Sequence, residues 1–263
     1  MSLSIQSDKN DRIKEVVRLK RKKYRDQQGL FLIEGANLVT EALQQGWEAE
    51  YFLVSDGGHM SDLREMLDQA VPERTFVVPE RLMEKVSDAQ NGAGVVGVIR
   101  KPVWDLNWFV SSGEGLRNVL VLDRIQDPGN LGTMVRTAAA AGYAGIIALK
   151  GTADVFSLKV LRSTAGMIFQ IPFFTVDSED EVLDAVRKSG RRLVVTDPRR
   201  GVPYYDADLK RGAALVIGNE GRGISPSLMD MADVRVTIPM AYGVESLNAG
   251  ISAAILMYEA VRG

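Results

Sequence analysis

Apolar residues in this chain fall into short unbroken runs, separated by stretches in which they recur every three or four positions. The runs Phe31–Ile33, Tyr51–Val54, Thr75–Val78 and Val95–Ile99 read as strands. Between them Ala36–Gln45 (closed by Gly46), Asp62–Ala70 and Pro79–Asp88 read as helices. Together they predict a compact α/β unit over residues 1–101. Lys101–Arg117 changes character, with Pro102, Gly113, Gly115 and paired serines beside Trp104 and Trp108. That composition predicts a linker over 102–117, its tryptophans resting loosely on the surface.

A second alternation fills 118–263. Val119–Leu122, Ile146–Leu149, Leu193–Val195, Ala214–Ile217 and Val234–Ile238 read as strands. Leu131–Ala141, Ser157–Gly166, Glu179–Ser189 and Ala249–Val261 read as helices. Strands this uniformly apolar belong to a parallel sheet covered on both faces, so the expected class is α/β with a doubly wound sheet. Pro239 cannot donate to a sheet ladder and should end the last strand. Ser246 stands where a helix N-cap is expected. The final helix has Ile251, Ala253, Ala254, Ile255, Leu256, Met257 and Tyr258 around most of its circumference, which predicts burial on nearly every side. Tyr242–Asn248 is then a polar loop pinned between a strand end and a buried helix, where ligand sites form in α/β proteins. From the loop alone, a plain tight connection reads equally well.

Charge changes the picture locally. Arg12–Arg25 holds eight basic residues and the single acid Glu15. Ile13, Val16, Val17 and Lys20 share a face, which predicts one amphipathic helix with a basic exterior. Such a face is either solvated or set against nucleic-acid phosphates. The net charge of -2 over 263 residues does not decide between them.

Hydrophobic residues make up 46% of the chain, enough for a real core. Cysteine is absent, which excludes disulfides, thiolate catalysis and Cys-based zinc sites. The lone His59 excludes His-cluster metal sites and reads as an ordinary surface or core residue; no metal is expected. The first thirty residues have no apolar signal core, and no run is long enough to span a membrane. The expected location is the cytoplasm. Neither a phosphate-binding G-x-x-x-x-G-K-[ST] loop nor a G-x-G-x-x-G after Val119–Leu122 is present. Gly218-Asn219-Glu220-Gly221-Arg222-Gly223, following an apolar run, would still let backbone approach a flat ligand. Asn130, Arg136, Glu220, Ser246 and Asn248 near strand ends form a polar set with one permanent cation and one carboxylate. That set suits a group transfer in which charge must be held.

Three stretches of the second half carry a resemblance. Asn130-Leu-Gly-Thr-Met-Val-Arg136-Thr-Ala, Ile217-Gly-Asn-Glu220-Gly-Arg-Gly, and Ile238-Pro-Met with Ser246-Leu-Asn248 resemble the three motifs of the SpoU/TrmH branch of the SPOUT RNA methyltransferases. Ser157–Gly166 resembles the family as well, and the match runs from about Val119 to Val261. The layout of the first half resembles the L30/L7Ae-like domain that binds substrate in many members. The resemblance implies a parallel sheet closed by a deep trefoil knot, an exception to the rule against threaded chains. It also implies a homodimer through the knotted domain, S-adenosylmethionine as cofactor, and methylation of a ribose 2'-hydroxyl in RNA. The substrate most in keeping with the N-terminal domain is 23S ribosomal RNA. A transfer RNA methyltransferase and a non-catalytic RNA-binding relative remain alternatives.

Residue by residue, the resemblance makes Arg136 the central catalytic group. Guanidinium is not deprotonated in proteins, so its expected role is to stabilise the developing alkoxide. Asn130 would orient Arg136 or the ribose, and Glu220 would pair with Arg136 or position substrate. Ser246 and Asn248 would complete the polar wall. Gly218, Ile238, Met240 and Leu247 would hold the cofactor. One departure stands out: after Ile-Pro-Met the family commonly has a small residue and then glycine, whereas here Ala241 is followed by Tyr242 and glycine comes at Gly243.

Overall fold

The computed structural model describes residues 3–57, 61–88, 94–111 and 116–262. His59 and linker residues 112–115 lie outside them. Two compact units divide the chain: Met1–Val103 with Phe156–Phe169, and Trp104–Val155 with Gln170–Gly263.

The first unit contains β1 (Leu3–Ser4), α1 (Asp11–Leu19), α2 (Lys22–Gln28), β2 (Leu30–Glu34), α3 (Ala36–Gln44), β3 (Ala49–Ser55), α4 (Ser61–Ala70), β4 (Thr75–Val78), α5 (Glu80–Val86) and β5 (Val95–Arg100). Its strands make one mixed sheet in the order β1-β4-β3-β5-β2. β4 runs parallel to β1 and β3, and β5 antiparallel to β3 and β2. The four expected strands and the three helices expected between them are present with only their ends shifted. β1 is too short to show a period.

The second unit contains α6 (Leu106–Ser111), β6 (Val119–Asp123), α7 (Pro128–Ala140), β7 (Gly145–Leu149), β8 (Phe173–Val176), α9 (Glu179–Lys188), β9 (Arg192–Thr196), β10 (Val202–Pro203), β11 (Ala213–Gly218), α10 (Pro226–Asp230), β12 (Val234–Thr237) and α11 (Ala249–Glu259). α8 (Leu158–Thr164) follows β7 in sequence but belongs to the first unit. All the strands of the second unit are parallel, in the order β10-β12-β9-β11-β6-β7-β8. The core includes Val119, Val121, Ile147, Phe174, Val195 and Val216. Among the described residues no helix is long and apolar enough to cross a membrane.

Five expectations are corrected. The basic stretch is not one helix. α1 ends at Leu19, Arg21 is extended, and α2 starts at Lys22. The corner is built on Arg25, which is buried and donates from Nη1 to the carbonyls of Leu19 and Lys20 at 2.8 Å. The last carbonyls of a helix need such partners. The buried face is Ile13, Val16 and Leu19; Val17 is exposed, and Lys20 turns to Asp88.

The stretch expected as a linker begins with a helix of the second unit. Asp105 Oδ1 accepts from the amides of Asn107 (2.9 Å) and Trp108 (3.2 Å) to start α6. Phe109 and Val110 enter the core, with the Phe109 ring 4.8 Å from that of Phe174. Gly145 leaves room for it, since a Cβ there would lie 2.9 Å from Phe109 Cζ. Trp104 packs against this core and Trp108 is exposed.

α8 packs with β2, and Leu158 joins the first unit's core. Asn248, not Ser246, caps the last helix, accepting at Oδ1 from the amides of Gly250 (2.9 Å) and Ile251 (3.2 Å). Finally, α11 is not buried all round. Gly250, Ala253, Leu256 and Met257 are buried, whereas Ile251 and Tyr258 are 51% and 52% exposed.

Candidate functional site

Four neighbouring strands, β12, β9, β11 and β6, end along one edge of the parallel sheet. Their C-terminal loops bring distant sequence together, as expected for parallel α/β sheets. A cavity of about 470 Å³ lies among them. Asn130, Gly218, Glu220, Ile238, Met240, Ser246, Leu247 and Asn248 all line it. At Gly218 the chain passes close to its own backbone. A Cβ there would lie 2.4 Å from the Gly223 carbonyl carbon and 2.5 Å from the Ile224 amide nitrogen.

The polar residues of the three loops bond to one another. Asn248 Nδ2 donates to Asn130 Oδ1 at 2.9 Å, and Asn130 Nδ2 donates to Glu220 Oε1 at 3.0 Å. Glu220 also accepts from the Gln126 amide at Oε2 (3.0 Å) and the Asp127 amide at Oε1 (3.1 Å). Burial works to raise the Glu220 carboxyl, but these three donors outweigh it and hold it below its ordinary value. A carboxylate so satisfied is a poor proton acceptor. Asp127 caps α7, accepting from the Asn130 amide at 2.8 Å. Asn130 is therefore fixed at backbone and side chain alike.

A second set of bonds ties the Gly218–Gly223 loop to the end of β6. Asn219 Nδ2 donates to the Arg124 carbonyl at 2.7 Å, and buried Asp123 accepts from the Ser225 amide at 2.6 Å. Arg124 has φ +59° and lies between Asp123 and Glu179, 2.6 Å from each.

Arg136 is not part of this cavity within one chain. It is exposed on α7 and has no hydrogen-bond or ion-pair partner among the described residues. Neither expected partner reaches it, because the Asn130 amide is taken up by Glu220 and Asn248, and Glu220 by Asn130 and two backbone amides. Tyr242 is fully exposed and does not line the cavity. The displaced glycine, Gly243, has φ +83°, so the turn there needs that residue type. Among the described residues no group of three or more His, Cys, Asp or Glu side chains could hold a metal.

Residues 117–258 match the SpoU rRNA Methylase family. The chain belongs to the SpoU rRNA Methylase family. Residues 10–97 match the MRM3-like substrate binding domain. The 23S rRNA (guanosine(2553)-2'-O)-methyltransferase RlmP of Bacillus subtilis is 34% identical over 254 residues, 97% of each chain. The 23S rRNA (uridine(2479)-2'-O)-methyltransferase of Streptomyces viridochromogenes is 34% identical over 90% of this chain and 84% of its own. Among solved structures, the AdoMet-bound rRNA methyltransferase from Sinorhizobium meliloti superposes with a TM-score of 0.87 at 32% identity, covering 98% of this chain and 96% of that one.

In this SpoU chain the cavity has a wall that motif reading missed. Thr196, Asp197 and Pro198 line it from the end of β9. Asp197 Oδ1 accepts from the amides of Arg199 (2.9 Å) and Arg200 (3.1 Å), and Oδ2 faces Arg235 at 3.6 Å. The Arg199 amide, then Arg200 and Arg235, hold this carboxyl below its ordinary value. A signal was available: Leu193–Val195 is an apolar run followed, after Thr196, by the turn-forming pair Asp197-Pro198.

Proposed function

We propose that this chain methylates a ribose 2'-hydroxyl of 23S ribosomal RNA, with S-adenosylmethionine as methyl donor. The observation that carries the reading is the Glu220–Asn130–Asn248 chain of hydrogen bonds, which closes three family motifs around one cavity. The cavity fits the cofactor in three respects. Its volume is in the range of small-molecule sites. The side-chain-free approach at Gly218 leaves backbone groups open to a flat ring. Ile217, Ile238, Met240 and Leu247 supply apolar walls, beside polar Asp197 and Ser246.

When bound, S-adenosylmethionine supplies an activated sulfonium methyl for an oxygen nucleophile. The protein's own task is to place the ribose oxygen in line and to ease loss of its proton. Positioning of this kind is worth about 7–11 kcal/mol at its best. Gly218, Ile238, Met240 and Leu247 bind the cofactor. Asn130, Glu220 and Asn248 fix the loops, and Ser246 would complete the polar wall beside the reacting groups. Arg136, a permanent cation, stabilises the alkoxide as it forms.

Arg136 reaches a cavity in this reading through a homodimer. α7 packs against α11, whose exposed Ile251 and Tyr258 extend to Val261 as an apolar face. A second copy seated on that face would bring Arg136 toward the partner's cavity. The trefoil knot implied by the motifs remains part of the proposal, as does a cytoplasmic site of action, where ribosomes are made.

The test is transfer of label from tritiated S-adenosylmethionine to unmodified ribosomal RNA, with mapping of the labelled nucleotide. Label on one 2'-oxygen of 23S rRNA is the expected result; a purified protein with no affinity for the cofactor would end the reading. Ile251→Asp should lower the sedimentation mass to that of one chain and abolish transfer. Inactive Arg136→Ala and Gly218→Ala chains should regain activity on mixing if Arg136 serves the partner.

A further inference from the structure

The first unit sorts its N-terminal basic residues into two groups. Arg12 lies over the rings of Phe76 and Tyr51, 4.1 and 5.5 Å from their centres. Arg25 caps α1, and Lys14, Lys22 and Lys20 pair with Asp11, Asp26 and Asp88. These five are occupied in holding the fold or are neutralised. Arg18, Arg21 and Lys23 are exposed, and their side chains have no ion-pair or hydrogen-bond partner among the described residues. They sit at the corner between α1 and α2.

A line of charges leads from that corner to α8. Lys20 Nζ lies 2.6 Å from Asp88 Oδ1, and the Asp88 amide donates to Glu34 Oε1 at 2.9 Å. Arg162 Nη1 reaches Glu34 Oε2 at 3.4 Å. The Glu34 side chain is 1% exposed, so its charge lies beneath the surface. Each carboxylate has its own cation, which leaves the unpaired cations in excess. Lys159 stands one turn before Arg162 on the same face of α8. It too is exposed, and its ammonium group has no partner among the described residues.

We propose that Arg18, Arg21, Lys23 and Lys159 form one track for the phosphodiester backbone of the RNA substrate. α8 lies inside the SpoU match by sequence but grips RNA as part of the substrate-binding unit. The inference rests on the proposed function. It adds which cations make the contact and that the catalytic-family sequence contributes one of them. Unpaired ammonium and guanidinium groups at a helix corner displace the counterions condensed on phosphates, whereas cations already held by carboxylates displace few.

The experiment uses the full-length protein and 23S rRNA transcribed in vitro, with affinity measured across a salt series. Each lost phosphate contact lowers the magnitude of the negative slope of log K against log salt by about 0.7–0.9. Lys159→Ala should lower it by one such step and Arg21→Ala/Lys23→Ala by two. Cofactor affinity and Tm should stay unchanged in both. A wild-type slope in Lys159→Ala removes α8 from the track and overturns the proposal, as does a wild-type slope in the double variant. Failure of the wild-type protein to methylate the transcript or to bind S-adenosylmethionine would count against the proposed function instead, and is read separately from the slopes.

Discussion

Asn130→Ala tests the link between the hydrogen-bond chain and cofactor binding. Asn130 is 9% exposed, and its side chain joins Glu220 on one loop to Asn248 on another. A neutral hydrogen bond contributes about 1 kcal/mol net and one to a charged group about 1.5–3 kcal/mol. Alanine therefore removes about 2.5–4 kcal/mol of tethering by the same scale. Glu220 and Asn248 are exposed and can bond water afterwards, which returns part of this. About 1.5–2.5 kcal/mol then remains as the cost of closing the cavity, or roughly 10- to 70-fold in Kd for S-adenosylmethionine. Calorimetric titration measures it directly, with Tm as a check that the domain stays folded. Asn130→Asp should be worse than alanine, because it sets a second carboxylate against Glu220. A Kd within about twofold of wild type for Asn130→Ala would refute the idea that this side chain assembles the site.

Other substitutions separate binding from chemistry. Arg136→Ala should lower turnover by about 10²–10³-fold, the effect of losing one transition-state donor, with cofactor Kd little changed because the role given to Arg136 is at the ribose oxygen and not at the cofactor. Gly218→Ala forces a Cβ into the Gly223–Ile224 backbone, so cofactor binding should be lost by calorimetry. The Glu220 carboxyl is lower in the folded chain than its ordinary 4.5. The native state then binds fewer protons, so the contribution is complete above about pH 4.5 and is lost as pH falls through the folded value. The Tm advantage of wild type over Glu220→Ala should be flat from pH 7 to 5 and shrink below that.

Much of the site was legible because its parts are local. A strand that ends at proline, a glycine where backbones meet, and an asparagine or glutamate at a fixed offset are each set by a few neighbouring residues. Periodicity located the long buried strands for the same reason. It missed the β9 wall and the strands β1, β8 and β10, where too few residues exist to show a period. It also read Lys101–Arg117 as a linker, since Pro, Gly and Ser outweigh a helix of 6 residues. Only the core reveals that Phe109 belongs against Phe174.

The sequence by itself determined the alternation of elements, the family, and which residues stand at strand ends. Tertiary structure alone decided their employment. Arg25 is spent on two carbonyls, and Glu220 on two amides and an asparagine. α8 joins the unit from which its own sequence is distant. Arg136 is left facing outward. Hydrogen bonds and ion pairs between residues some ninety positions or more apart, such as Asn130–Glu220 and Arg162–Glu34, depend on where the folded backbone brings two side chains within about 3 Å, and no local pattern encodes that distance.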